Sequence, residues 1–198
     1  MVRAMARKPR IQAEGATYHA FTRATGGEQL FRDGGDRDRL VAMLRTTTRR
    51  YDWRVHFVVV LGTHWHLLLT TPKPNIAAGM QYLLGVYCQS FNRKYGRFGH
   101  LVSGRYGAPL LETNAHAATL VPYLALNPVK AGAVDRPEDW PWSTYASLVG
   151  LAPAWDFVDD AWLLEQFDAD PSRARSYIRA YVEEELRRWR RERVSTAA

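Results

Sequence analysis

The stretch R-V-H-F-V-V-V-L at 54–61, the Gly62-Thr63 pair and the run H-W-H-L-L-L-T-T at 64–71 limit the fold more than any other part of the chain. Both runs are β-branched or apolar, and the two-residue break between them fits a tight turn, so they read as buried strands paired with each other. A further strand is predicted over 16–24. A helix is predicted over 36–50, capped by Asp36 and apolar along Leu40, Met43 and Leu44. A second, over 75–95, has Ile76, Met80, Leu83, Leu84, Tyr87 and Phe91 along one side. Gly26-Gly27 and Asp33-Gly34-Gly35-Asp36 are loop punctuation, and 96–106 is a glycine-rich basic loop. A short strand near 107–112 precedes a helix that starts at Asn114 and stops before Pro128. A proline- and tryptophan-rich packing segment at 137–150 and a charged helix over about 171–194 complete the chain.

The order β-α-β-β-α predicts an α/β chain, more narrowly an α+β sandwich of ferredoxin-like type. Its sheet is mainly antiparallel, with helices packed on one face and the other face free to carry a site. Two units are expected, a domain over 1–152 and a helical extension over 153–198. The 198 residues are 46% hydrophobic and 24% charged, which is ordinary globular composition. No apolar run approaches the roughly 18 residues of a membrane span. The N-terminal M-V-R-A-M-A-R-K-P-R is basic without the apolar stretch of a secretory signal, so a cytoplasmic location is expected. Cys88, the single cysteine, permits neither an internal disulfide nor a cysteine-rich zinc site.

Lys+Arg number 27 against 20 Asp+Glu, a net charge of +7 that attracts polyanions. Only Lys8, Lys73, Lys94 and Lys130 are lysine. The planar fork of arginine suits phosphate, although a GC-rich coding sequence gives the same arginine bias.

The sharpest chemical signal is T-H-W-H at 63–66. On a strand His64 and His66 share a face while Trp65 points into the core. Two adjacent imidazoles supply part of a divalent-metal site and need a third donor; equally, they are two satisfied histidines on a half-buried strand. On the helix after Asn114, Tyr123 and Asn127 are four apart and share a face. Asn127 offers an amide oxygen, and Tyr123 a phenol that attacks phosphorus once its proton is removed. A core tyrosine and a C-terminal asparagine before proline read as well. Between 92 and 106, Arg93, Lys94, Arg97 and Arg105 stand without an acid among Tyr95, Phe98 and Tyr106. Cations for phosphate and rings for bases are the needs of a single-strand binder. Arg3, Arg7, Lys8 and Arg10 form a basic arm, and the final helix, with its mixed arginines and glutamates, reads as a solvated face. His19, His56, His100 and His116 have no spacing that suggests ligation, and Tyr18, Tyr87 and Tyr95 are rival nucleophiles.

Together these residues resemble the single-tyrosine HUH transposases, most closely the REP-associated tyrosine transposases. The resemblance rests on His64-Trp65-His66, on Y-L-A-L-N-P-V-K-A-G at 123–132 and on P-E-D-W-P-W-S-T-Y at 137–145. A-T-Y-H at 16–19, L-F-R-D at 30–33 and the block F-N-R-K-Y-G-R-F-G-H-L-V-S-G-R-Y at 91–106 extend it over roughly residues 6–150. It implies that His64, His66 and Asn127 hold Mg²⁺ or Mn²⁺ and that Tyr123 is the nucleophile. The implied function is a transposase and endonuclease that cleaves and rejoins single-stranded DNA through a 5′-phosphotyrosine. Its implied partner is single-stranded or hairpin DNA of repeated palindromic sequences, bound by a monomer or homodimer with no membrane involved. Arg93, Lys94, Arg97, Phe98, Arg105 and Tyr106 are the expected DNA contacts. Two departures stand out: Thr63 where the family usually has asparagine, and T-R-A-T-G-G-E after the first strand in place of S-R-G-N with basic residues. Both are expected to bear on DNA choice, or to mark a domesticated copy, rather than to touch the metal or the nucleophile. The alternatives are a non-cleaving hairpin DNA- or RNA-binding protein of the same fold and a metal-dependent hydrolase using water.

Overall fold

The computed structural model describes residues 11–111 and 114–197, and within them the expected hairpin is the centre of the molecule. Strand β2 (Arg54–Val60) turns through Leu61–Thr63 into β3 (His64–Thr71), with Leu61 N donating to His64 O at 2.9 Å. Strand β1 (Ala16–Arg23) pairs antiparallel with the free side of β3, giving the order β1-β3-β2. Helix α1 (Gly34–Tyr51) connects β1 to β2, which lie parallel on either side of β3, so β1-α1-β2 is a split βαβ unit. The α+β sandwich with a mainly antiparallel sheet is therefore present.

Alternation sorts the sheet's side chains onto two faces. Tyr18, Ala20, Val58, Val60, Trp65, Leu67 and Leu69 face one way and are buried under α1 and α2 (Ile76–Lys94), through Leu40, Leu44, Met80, Leu83 and Tyr87. Gly79 of α2 lies against the Trp53 ring, where a Cβ would come within 2.1 Å of it. The other face is free only in part. Phe57, Val59 and Leu68 are covered by α3 (Asn114–Lys130), α4 (Tyr145–Leu148), α5 (Ala161–Glu165) and α6 (Pro171–Ala197). What remains open is the strip beside β1 and the start of β3, where His19, Phe21, Arg23, His64 and His66 lie.

Both edges of the sheet are covered, which removes the hazard of exposed strand edges. Residues 102–110 run along β1 through isolated bridges to Tyr18, Phe21 and Ala24, rather than forming the strand expected at 107–112. Gly107 permits that approach, because a Cβ there would meet the Phe21 ring at 2.3 Å. At the far edge the 137–145 segment runs beside β2: Val58 N donates to Thr144 Oγ1 at 2.9 Å, and Trp140 Nε1 to Val60 O at 2.8 Å. The packing role read for this segment is a strand-edge cover.

Two helix ends differ from expectation. The cap of α1 is Asp33, which accepts from Asp36 N at 2.9 Å, while the buried Asp36 carboxylate accepts from Arg32 N at 2.9 Å. Asp36 belongs to the first turn, and its carboxylate reaches back past the cap to the Arg32 amide rather than to that of Asp33. Helix α3 does not stop before Pro128 but continues through it to Lys130. It ends where Gly132 (φ 71°) closes a Schellman motif, with Ala133 N donating to Pro128 O and Gly132 N to Val129 O. The N-P-V-K-A-G stretch is thus a helix terminator, and it keeps Asn127 inside the last helical turns.

Candidate active site

Two strands and one helix converge at the open strip. The start of β3 supplies His64 and His66, whose rings stand nearly perpendicular with centroids 5.1 Å apart. From α3 comes Tyr123, with its ring edge-on to His66 at 5.8 Å, and Asn127 one turn further on. The Asn127 side chain donates from Nδ2 to the Tyr123 carbonyl at 3.0 Å and also hydrogen-bonds His64. His64, His66, Tyr123 and Asn127 are therefore neighbours, as their motifs suggested. Three of them, His64, His66 and Tyr123, line a cleft of about 570 Å³ shared with His19, Phe21, Arg23, Ser103 and Arg105.

Of the four tyrosines weighed from sequence, only Tyr123 is exposed, at 46%. Tyr18 is fully buried and accepts from Ala13 N at 3.0 Å. Tyr87 is buried and donates to Leu30 O at 2.6 Å, with its phenol pushed well above its usual range by burial. Tyr95 donates to the Asp36 carboxylate at 2.8 Å.

The histidines are held neutral. Burial, with the positive charge of neighbours second, lowers His66 to about 3 and His19 to about 4, and it lowers His64 as well. Neutral imidazoles retain the lone pair that a ligand or base needs. Each is also tethered. Thr63 Oγ1 lies 3.0 Å from His64 Nδ1, so Thr63 bears on the histidine pair itself and not on DNA choice alone, a correction to the expectation from sequence. His19 Nε2 lies 2.9 Å from His66 Nδ1. The opposite nitrogen, His66 Nε2, is buried without any hydrogen-bond partner, a rarity that calls for an explanation. Among the described residues no three His, Cys, Asp or Glu side chains are arranged to hold a metal ion. The Asn127 amide oxygen, a different donor type, is the third group at this place.

The sequence reading missed His19 and Arg23. Both belong to the alternation of 16–24, which puts residues 17, 19, 21 and 23 on one face, but only the register Phe21↔His66 and Arg23↔His64 brings that face to the histidine pair. Arg23 and Arg105 form no ion pair among the described residues, and both guanidinium-bearing side chains line the cleft.

The 92–106 block is not the single basic-aromatic surface expected, and three of its residues need correction. Lys94 bonds the Asp33 and Asp36 carboxylates at 2.8 and 2.7 Å, and its ammonium is pushed upward by them. Arg97 pairs with Glu28 at 2.5 Å. Tyr106 is buried in the core and has no face for a base. Their partners lie 58 to 69 residues away in sequence, or in the core, beyond the reach of local composition. Arg93 is exposed, and the Phe98 ring is 95% exposed. The arm of Arg3, Arg7, Lys8 and Arg10 lies outside the described residues.

No family model matches the chain. In sequence, 113 residues are 29% identical to a Haemophilus influenzae protein provisionally named as a REP-associated tyrosine transposase. The match takes in 51% of this chain and 64% of that relative, so the chain spans less than two thirds of its length. In structure, the chain is similar to a REP-associated tyrosine transposase solved bound to a REP hairpin. The TM-score is 0.62 at 23% identity, over 78% of this chain and 94% of the other, a likeness of fold. The resemblance read from the motifs is borne out by both.

Proposed function

We propose that this chain is a transposase of the REP-associated type that binds hairpin DNA and cleaves and rejoins the single strand beside it, with Tyr123 as nucleophile. The observation that carries the reading is the meeting of the exposed Tyr123 phenol with the His64–His66 pair in a cleft walled by Arg23 and Arg105. The hairpin-bound state of the structural relative and the name of the sequence relative support the choice of DNA.

His64, His66 and the Asn127 oxygen would hold a divalent cation, Mg²⁺ or Mn²⁺. The partnerless His66 Nε2 is the atom that fits this reading best, since a coordinate bond uses its lone pair. Such an ion, when bound, polarises the phosphoryl oxygen and stabilises charge on the leaving oxygen. The chain's own groups do the rest. Arg23 and Arg105 draw the phosphate into the cleft and fix its orientation. Tyr123 Oη forms a bond to phosphorus as the bond from phosphorus to the 3′ oxygen breaks. The phenol gives up one proton and the leaving 3′ oxygen takes up one, leaving a 5′-phosphotyrosine and a free 3′-OH. Because the bond energy stays in the ester, reversal by a second 3′-OH joins strands without a nucleotide cofactor. Phe98, fully open, is placed to stack on a base, and Arg93 to meet a phosphate.

The test is a labelled hairpin oligonucleotide with a single-stranded flank, incubated with and without Mn²⁺ and resolved on a denaturing gel. The reading expects cleavage within the flank that requires Mn²⁺. Binding without cleavage would reassign the chain as a hairpin-binding protein. Cleavage that leaves no protein on the DNA would reassign it as a hydrolase.

A further inference from the structure

We propose that His19 is a positioning residue for the cleft: it holds His66 in the tautomer with its proton on Nδ1, so that Nε2 keeps its lone pair toward the site. The geometry leaves two arrangements for the 2.9 Å hydrogen bond between His19 Nε2 and His66 Nδ1. In one, His19 donates and His66 accepts. The neutral His66 proton is then on Nε2, an N–H buried with no acceptor. In the other, His66 donates from Nδ1 and His19 accepts. The proton of neutral His19 is then on Nδ1, which is not among the buried partnerless atoms, as befits a half-buried ring that water reaches. Only the second arrangement leaves no N–H stranded, and it makes Nε2 of His66 a bare lone pair.

The two histidines of the pair are not held alike. The partner of His64 Nδ1 is the Thr63 hydroxyl, and the Asn127 amide hydrogen-bonds the same ring; each can donate or accept, so neither group by its type dictates a tautomer. His19 has a stacked ring 5.1 Å from that of His66 and touches the adjacent Phe21, so it fixes orientation as well as protonation. A partner on the remote ring nitrogen is the usual way a ligating imidazole is set. That the lone pair serves a cation rests on the function proposed above; the tautomer itself does not.

The experiment is a nitrogen-15 NMR spectrum of histidine-labelled, metal-free protein, recorded above the histidine titration range, on the parent, His19→Phe and His19→Gln. The parent is expected to show His66 protonated on Nδ1 and bare on Nε2. Phenylalanine offers no acceptor, so His66 should move to the Nε2–H form that free imidazole prefers. The Gln side-chain oxygen accepts, so His19→Gln should restore the parent pattern. Calorimetry should show Mn²⁺ affinity falling about 10- to 100-fold in His19→Phe and recovering in His19→Gln. An Nε2–H tautomer in the parent overturns the inference, as does a His19→Phe variant with unchanged tautomer. Should His19→Phe fail to fold, the parent and His19→Gln spectra decide. If the tautomers behave as stated but no variant, nor the parent, binds Mn²⁺, the positioning role stands and the metal reading falls.

Discussion

At the scale of single residues, the chemistry-bearing positions divide by how they announce themselves. His64 and His66 are two apart, and Tyr123 and Asn127 four apart, so local periodicity alone puts each pair on a face. His19 and Arg23 show the same alternation but join the site only through pairing with a strand more than forty residues away. No spacing rule within 16–24 reports that register, so His19 shows no spacing that suggests ligation and Arg23 no signal at all. Gly107 is another such residue: its lack of a side chain lets the 102–110 segment close over the Phe21 ring at one wall of the cleft. Gly107→Ala is expected to displace that ring or the segment, costing about 1–3 kcal/mol by overpacking. Denaturant unfolding would measure the loss, and DNA cleavage should fall with it; unchanged stability would show that the edge yields freely.

At the scale of elements, the hairpin, α1, α2 and the final helix were legible from apolar periodicity, and their ends less so. The extension of α3 past Pro128 depends on Gly132 terminating it, a feature five residues beyond the point where proline seemed to end it. The basic loop differs from its local composition for a related reason. Its cations were counted without the acids that the fold brings to them, Asp33 and Asp36 at the start of α1 and Glu28 after β1. The distinction is measurable in salt titrations of DNA binding. Arg105→Ala should lower the slope of log affinity against log salt by roughly 0.7 on a single strand, as one phosphate contact does. Lys94→Met should leave the slope unchanged and instead lower the unfolding midpoint, because it strips the buried Asp36 of its cation. Phe98→Ala should weaken binding by about 1–3 kcal/mol with little change in slope, as a lost stacking ring does.

At the scale of the whole molecule, one sheet carries helices on both faces and leaves a strip of the second face open for the cleft. Closing that face requires α5 and α6, whose Leu163, Leu164, Ala174, Ile178 and Val182 share a buried cluster with Phe57 and Leu68. No helix among the described residues is long and apolar enough to cross a membrane. The fold also stores neutral histidines. His56, buried between Asp159 O and Thr70 Oγ1, is lowered by burial, as are His19 and His66. Each binds its proton more tightly in the unfolded chain, so the stabilisation is complete above about pH 6.5, the ordinary histidine value. It is lost progressively as pH falls toward the folded values of about 4 for His19 and about 3 for His66. The denaturant midpoint should therefore drop as pH falls from roughly 6.5 to roughly 5, before most carboxylates titrate, and His56→Gln should flatten the drop. A constant midpoint across that range would mean that these rings are not held neutral by the fold.

The central claim is that Tyr123 joins covalently to DNA, and peptide mass spectrometry tests it most directly. The protein is incubated with Mn²⁺ and a hairpin oligonucleotide carrying a single-stranded flank, then digested with protease and nuclease. The account predicts a peptide containing Tyr123 that carries a nucleotide through a phosphodiester, absent without Mn²⁺ and absent in Tyr123→Phe, which still binds the hairpin with parent affinity. A nucleotide on any other tyrosine, or cleavage by Tyr123→Phe at the parent rate, would contradict it.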